Sequence, residues 1–315
     1  MLIQLLRLGG LSGAAAGAGV WLSRRGLRPE EPAGAVVRSD FTVPSDPRLP
    51  EMVVVRGGDP GLMARRAIQE MGGIGRFVAR GDVVVLKPNI AWDRTPEQAA
   101  NTNPLVVAEI ARLCREAGAR RVAVTDVSID EPRRTFARSG IAAAARVAGA
   151  EIILPEEHLF RNVDLRGDVL HSWPVLEPFL NADKIINIPI AKHHSLTGVT
   201  LGIKNCYGIL GGPRNRLHQR IHESLADLAS FLRPTLTIMD GYRVLMRNGP
   251  GGGNPADVAL KQTLVAGTDP VALDAYIAKA WWDLDWNTLR YLKLASERNL
   301  GKLDFESVRT RFVTV

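Results

Sequence analysis

Lys184-Ile-Ile-Asn-Ile-Pro-Ile-Ala-Lys-His-His-Ser-Leu-Thr-Gly-Val-Thr-Leu-Gly-Ile-Lys-Asn-Cys-Tyr-Gly208 is the stretch on which the reading of this chain turns. Its apolar opening, Lys184 to Ile190, has the length and β-branched content of a buried strand, and it ends abruptly at Lys192, His193 and His194. Lys204 and Asn205 follow, then the glycine-rich Gly208-Ile-Leu-Gly-Gly212. A buried strand that delivers two lysines, a histidine and an asparagine to one loop is costly unless partners or a ligand occupy those groups.

The same strand-then-helix grammar runs outward in both directions. Strands are predicted at Met52–Arg56, Asp82–Leu86, Arg121–Thr125, Glu151–Leu154, Leu236–Met239 and Thr263–Ala266. Helical spacing predicts helices over Gly61–Met71, Pro104–Ala117, Pro132–Ala148, Ser224–Leu232, Val271–Trp282 and Thr288–Asn299. This alternation implies an α/β fold, a largely parallel sheet with flanking helices, with two lobes of about 36–165 and 166–315 around a cleft. Phe160–Phe179, broken by turn residues, reads as an excursion between the lobes.

Polar residues fall just past the predicted strands: Lys87 and Asn89, Asp126, Lys192 and His194, Asp240, and Asp269. In open parallel sheets ligands bind at that edge, so these positions predict one shared cleft. Within it, His194 is a candidate general base or metal ligand, and Lys192 and Lys204 are candidates to neutralise an anion. Lys204 also has the chemistry to bond covalently to a carbonyl compound. Asn205 and Gly208 join Lys87, Asn89, Asp126 and Asp240 as candidate cofactor-binding positions, with Gly208 letting backbone N–H groups approach an anion. His218 and His222, four apart, would share a helical face and are further metal candidates beside His194 and Asp240. Asn248–Asn254 reads as a lid-like loop, and Asp269 as an N-cap.

An apolar content of 46% with 23% charged residues describes an ordinary globular chain. The net charge of +7 comes from scattered arginines without a basic block or interleaved aromatics, which favours anionic small molecules over nucleic acid as partners. Two cysteines, Cys114 and Cys206, are too few for a self-contained iron–sulfur cluster or a Cys-rich zinc site. Walker A, Gly-x-Gly-x-x-Gly, Gly-x-Ser-x-Gly and Cys-x-x-Cys patterns are absent, which argues against familiar nicotinamide, P-loop and serine-hydrolase enzymes.

Residues 1–35 are read as a signal-like or anchor segment plus spacer, apart from an α/β domain over 36–315. Leu2–Leu22 carries Arg7 as its single charge and ends before Arg24-Arg25. That pattern implies export to a periplasmic location or a membrane anchor.

Lys87-Pro-Asn89, Lys192-x-His194-x-Leu-Thr-Gly-Val-Thr-x-x-x-Lys204-Asn205-x-x-Gly208, Ile238-Met-Asp-Gly241 and Gly267-x-Asp269-x-x-Ala-x-Asp274 resemble the domain-of-unknown-function family 362 over about residues 52–312. Relatives in that family often carry a twin-arginine signal or a ferredoxin-like cysteine module, and this chain lacks the cysteines for the second. A second similarity, His194-x-x-x-Gly198-x-x-x-x-x-Lys204 followed by Gly208, is to the lactate racemase family, whose nickel pincer nucleotide is tethered to a lysine. It implies a cofactor-anchoring or anion-binding Lys204, although Leu201-Gly-Ile203 stands where that family has Gly-Gly-Arg. The whole reading is of an enzyme acting on an anionic small molecule or using a phosphate- or metal-bearing cofactor. Its alternative is a non-catalytic metal- or anion-binding protein.

Overall fold

The computed structural model describes residues 40–315. The apolar 2–22 segment and the boundary near residue 35 lie outside the described residues.

The fold opens with β1 (Met52–Arg56), α1 (Pro60–Glu70), β2 (Val83–Pro88), α2 (Pro104–Glu116), β3 (Arg121–Val124), α3 (Pro132–Arg138), α4 (Ile141–Val147) and β4 (Glu151–Ile152). A hairpin of β5 (Phe160–Asp164) and β6 (Ser172–Leu176) leads through α5 (Glu177–Leu180) to β7 (Lys184–Ile188). The motif region forms a second hairpin, β8 (Ile190–His194) and β9 (Gly198–Thr200), and a single turn of helix, α6 (Gly202–Asn205). Next come α7 (Ile221–Phe231), β10 (Leu236–Leu245), β11 (Val258–Gly267), α8 (Pro270–Trp282), α9 (Arg290–Glu297) and β12 (Thr310–Thr314).

Ten strands make one sheet in the order β12-β1-β11-β10-β7-β2-β3-β4, with β8 and β9 attached through β10. The chain from β10 through β7, β2 and β3 to β4 is parallel, because helical crossovers return each strand to the same edge. β11 arrives by a hairpin and is antiparallel to both neighbours. This is an α/β fold with a largely parallel sheet. It also corrects the expected placement of Asp269: Gly267 pairs with Met52 and Thr237 at the starts of β1 and β10, so Asp269 follows the sheet past the N-terminal ends of those strands, whereas Lys87 and Asp126 come at the C-terminal ends of β2 and β3.

Alternation along the strands divides the core between two faces. Val84, Leu86, Val122, Val124, Ile186 and Ile188 pack against α1, α2 and α4. Val85, Ala123 and Ile185 face the other way, with α7 and the β5–β6 hairpin, while Met239 and Val265 on that face meet α8 and α9. Each aliphatic side chain so buried contributes about 1.5–3 kcal/mol. Four helices start the same way, with Asp59, Asn103, Glu131 or Asp269 accepting backbone N–H groups just before a proline.

Two local expectations change. The helix predicted over 132–148 breaks at Gly140, which adopts φ 73° between α3 and α4. The excursion at 160–179 contains a two-stranded hairpin whose strands bury few residues, Val163, Val175 and Leu176 among them, so its apolar alternation is weak.

One row of the sheet matters for everything that follows. Lys87, Asn187 and Thr237 stand in register across β2, β7 and β10, two residues beyond Val85, Ile185 and Thr235. They put a polar line on an otherwise apolar face, and α6 lies over it.

Candidate functional site

α6 is too short to hold itself, and its anchors are side chains from elsewhere. Asp274 of α8 accepts the backbone N–H groups of Gly202 at 2.7 Å and Ile203 at 2.9 Å. Burial raises its carboxyl to about 7 against the pull of those same hydrogen bonds. Beneath, Asn187 Nδ2 donates to the Gly202 carbonyl at 2.9 Å. Asn205 Nδ2 donates to Asn187 Oδ1 at 2.8 Å and to the Lys87 carbonyl at 3.2 Å. Asn89 Nδ2 donates to Asn205 Oδ1 at 2.9 Å, and Lys192 Nζ closes the chain on Asn89 Oδ1 at 3.0 Å and the Ala100 carbonyl at 2.5 Å. Burial and then the nearby Lys204 push the Lys192 ammonium well below its ordinary range.

Beside this chain of amides lies a buried ion pair. Lys87 Nζ donates to Asp126 Oδ1 at 2.6 Å and to the Pro88 carbonyl at 2.9 Å, while Asp126 Oδ2 accepts the Ile90 N–H at 2.6 Å. Lys87 is 0% and Asp126 2% exposed, so neither meets solvent. Gly208 covers them: a Cβ there would come within 1.8 Å of Asp126 Oδ1 and 2.6 Å of Lys87 Nζ. Its missing side chain makes room for the ion pair, and this corrects the reading of Gly208 as part of an anion cradle.

Three further expectations are corrected. Both oxygens of Asp240 are engaged, accepting the N–H groups of Asn103 at 2.7 Å and Tyr242 at 3.0 Å. This carboxyl, raised to about 6 by burial, fixes the start of α2 and is buried from solvent. His218 lies in the tight turn Arg214–Arg220 and His222 in α7, and Arg220 between them leaves helical geometry with φ −135° and ψ 56°. The two histidines therefore share no helical face. His218 stacks on Tyr207 and His222 on Tyr291. Finally, His194 Nδ1 accepts the N–H groups of Leu196 at 3.1 Å and Thr197 at 3.4 Å, which puts the ring proton on Nε2. Burial first, then the cations of Lys204 and Lys192, hold its pKa at about 3. The ring is neutral in this arrangement, with Nδ1 taken by the backbone and Nε2–H left as a donor. Among the described residues no three His, Cys, Asp or Glu side chains converge on a point where a metal ion could sit.

The lid-like loop is fastened. Gly249 N–H donates to His193 Nδ1 at 3.1 Å, and Gln98 Nε2 donates to the Gly253 carbonyl at 2.9 Å. Cys114 and Cys206 are buried on opposite faces of the sheet, each thiol pushed up to about 12 by burial.

What remains open is a small cationic mouth. Lys204 is half-buried on α6, and among the described residues it has no carboxylate partner. Its nearest aromatic contact is the Tyr207 ring, 5.6 Å from Nζ to the centroid. Arg214 lies 6.0 Å over the same ring, and the exposed His218 ring stacks on it at 6.1 Å. Burial and then the Arg214 charge lower the Lys204 ammonium from 10.5 to about 8. Arg214 is held by the carbonyls of Val127 at 2.9 Å and Ser128 at 2.8 Å. It also lines an open depression of about 510 Å³ bounded by Ile129, Phe160 and Gly211.

Sequence reasoning found Lys204 and His194 and missed Arg214, Tyr207 and Asn187. Their signals were slight: an arginine two residues past Gly212, a tyrosine inside the motif, and an asparagine in a strand where an aliphatic residue belongs.

An α/β sheet carrying a Lys-His-Lys-Asn segment on such a network defines a class of protein before it defines a member. The chain belongs to the family described as Domain of unknown function (DUF362), whose profile matches residues 84–279. It is 29% identical over 221 residues to the thylakoid-associated protein sll1697 of Synechocystis sp., an alignment covering 68% of this chain and 67% of that protein. Among solved structures, a Thermotoga maritima structural-genomics protein aligns at a TM-score of 0.38 and 14% identity, covering 76% of this chain and 59% of that one. The lactate racemase apoprotein of Thermoanaerobacterium thermosaccharolyticum aligns at 0.40 and 12%, covering 75% and 60%. This chain thus spans about three fifths of each solved relative. No helix among the described residues is long and apolar enough to cross a membrane.

Proposed function

We propose that the mouth formed by Lys204, Arg214, His218 and Tyr207 binds a small organic anion, a carboxylate or phosphate, and that the chain acts on it as an enzyme. One observation carries this reading: Lys204 is half-buried near Arg214 with, among the described residues, no carboxylate beside it. Lys87 has Asp126 and Lys192 has Asn89 and Ala100, whereas the charge on Lys204 is uncompensated from within. An anion that supplies the missing charge would gain charge-assisted hydrogen bonds from Lys204 and Arg214 and a neutral donor from His194 Nε2. A phosphate-bearing cofactor fits the same donors. Among the described residues no His, Cys, Asp or Glu cluster joins these donors, so the reading is of an anion site rather than a metal centre.

Titration calorimetry of the full chain with oxalate and with inorganic phosphate tests this, beside Lys204→Met. The variant should lose affinity by about tenfold or more, the size of one lost charged hydrogen bond. Binding should weaken as pH rises through about 8, where Lys204 loses its proton. Equal affinity in both proteins would overturn the reading. The apolar 2–22 segment supports export or membrane tethering, and the thylakoid association of the Synechocystis relative is in keeping with a membrane-side location. Fractionation of cells carrying the chain with and without residues 1–35 checks this: identical distributions would exclude it.

A further inference from the structure

We infer that Lys204 is a nucleophilic amine that condenses with the carbonyl of an anionic aldehyde or ketone to form an imine. This rests on the anion-binding reading of the same mouth and adds a reaction to it.

The comparison among the three clustered lysines carries the inference. Lys87 spends its ammonium protons on Asp126 and Pro88, and Lys192 on Asn89 and Ala100, behind 0% and 1% exposure. Lys204 alone of the three is only half-buried, and among the described residues its Nζ has no hydrogen-bond acceptor and lies by the face of Tyr207. Its backbone is fixed from two sides. Asp274 holds Gly202 and Ile203 just before it, and Asn89 with Asn187 holds Asn205 just after it. A side chain so presented, free at the tip and rigid at the root, suits a nucleophile better than a structural cation.

The neighbours complete the requirement. Burial and the Arg214 charge disfavour the protonated amine, and the same Arg214 charge favours an anionic substrate group, so one neighbour serves both ends of the reaction. Burial and the Arg214 charge bring the ammonium to about 8, leaving a usable fraction of neutral amine near neutral pH. His194 Nε2–H is a neutral donor beside these cations, of the kind that stabilises oxygen as it gains negative charge.

The step balances without a redox partner. The neutral amine adds to the carbonyl carbon, forming the C–N bond as the C=O π bond opens, and the proton the nitrogen gives up passes to the oxygen, leaving a neutral carbinolamine. The hydroxyl leaves as water on a second proton, and the nitrogen keeps the positive charge of the protonated imine. Nothing is oxidised or reduced.

Glyoxylate is a suitable probe, being the smallest aldehyde that carries a carboxylate. The full chain is incubated with glyoxylate and cyanoborohydride, digested, and mapped by mass spectrometry for carboxymethyl-lysine. Labelling at Lys204 should exceed that at the exposed lysines Lys261 and Lys293 by about tenfold or more, because Arg214 holds the glyoxylate carboxylate beside an amine fixed at its root. It should fall as oxalate is added. Propionaldehyde, a neutral carbonyl, should show no such preference for Lys204. Labelling spread evenly over surface lysines, or a Lys204 preference as strong with propionaldehyde, overturns the inference. Calorimetry with oxalate separates the two readings. Oxalate binding that needs Lys204 without glyoxylate trapping leaves the anion site and removes the imine; neither signal removes both. Lys204→Arg, which keeps the charge and lacks the nucleophile, should still bind oxalate and show no trapping in the corresponding peptide. Its melting curve, matched to the parent, excludes misfolding as the cause.

Discussion

The buried network under α6 and the mouth above it are made from the same residue types, yet they obey opposite rules. Below, Lys87, Asp126, Lys192, Asn89, Asn187 and Asn205 satisfy one another, so their polar groups specify a structure. Above, Lys204 and Arg214 bring two like charges to one tyrosine ring beside the stacked His218, and among the described residues Lys204 has no carboxylate to answer it. The lesson is that a lysine's role is set by its partners. Mutations should therefore separate the two regions, with stability reporting the lower and ligand affinity the upper.

The largest effect is expected from Asp126→Ala. It leaves the Lys87 ammonium buried without its partner, and chemical denaturation should show a loss of about 3–5 kcal/mol. A loss under about 1 kcal/mol would mean that the pair is not what holds β2 to β3 at this edge.

Gly208→Ala should come next. A methyl aimed at Asp126 Oδ1 forces the turn or the ion pair to move, costing about 1–3 kcal/mol by the same assay. If oxalate affinity fell while stability stayed level, the comparison would break, because Gly208 would then belong to the mouth.

Asp274 gives a pH signature. Its folded pKa of about 7 lies above the 3.8 of an unfolded chain, so its contribution to stability is full below pH 3.8 and is lost as pH rises toward 7. Asp274→Asn should flatten the pH dependence of the denaturation midpoint across that window. Parallel profiles for parent and variant would refute the assignment.

The smallest change in stability should come from Lys204→Met, within about 0.5 kcal/mol near neutral pH, since it removes no partner. The sign has its own pH course. Lys204 is lowered from 10.5 to about 8 on folding, so the unfolded chain binds more protons between those values and the parent gains stability as pH rises across them. The Met variant should lack that rise. A loss of several kcal/mol would move Lys204 into the structural group with Lys87.

Much of the fold was legible because its signals are local. Strand-length apolar runs and Asp–Pro or Asn–Pro helix starts located β1, β2, β3, β7, α1, α2 and α8 within a residue or two. β12 and the β5–β6 hairpin escaped because strands with few inward side chains carry little alternation, as Phe312, 65% exposed on β12, illustrates. The candidate site was legible as a list and illegible as a set of roles. Strand ends pointed to Lys87, Asp126 and Lys192, but Asp269 was misplaced because the direction of β11 depends on a hairpin, and Asp240 because its oxygens accept from Asn103 at the start of α2 and from Tyr242 in its own strand. Asp274 was visible in the motif, while its hold on α6 was not.

Periodicity, capping residues and the Lys-His-Lys-Asn segment by themselves determined an α/β chain, its family, and the segment in which the buried polar network is built. Only the tertiary structure decided which lysine is left without a partner. The reason is physical: Lys87 meets Asp126, Asn89 meets Asn205, and Lys192 meets Asn89 across 39, 116 and 103 residues of sequence. Charge compensation in a low-dielectric interior acts over a few ångströms of space, which no local pattern records.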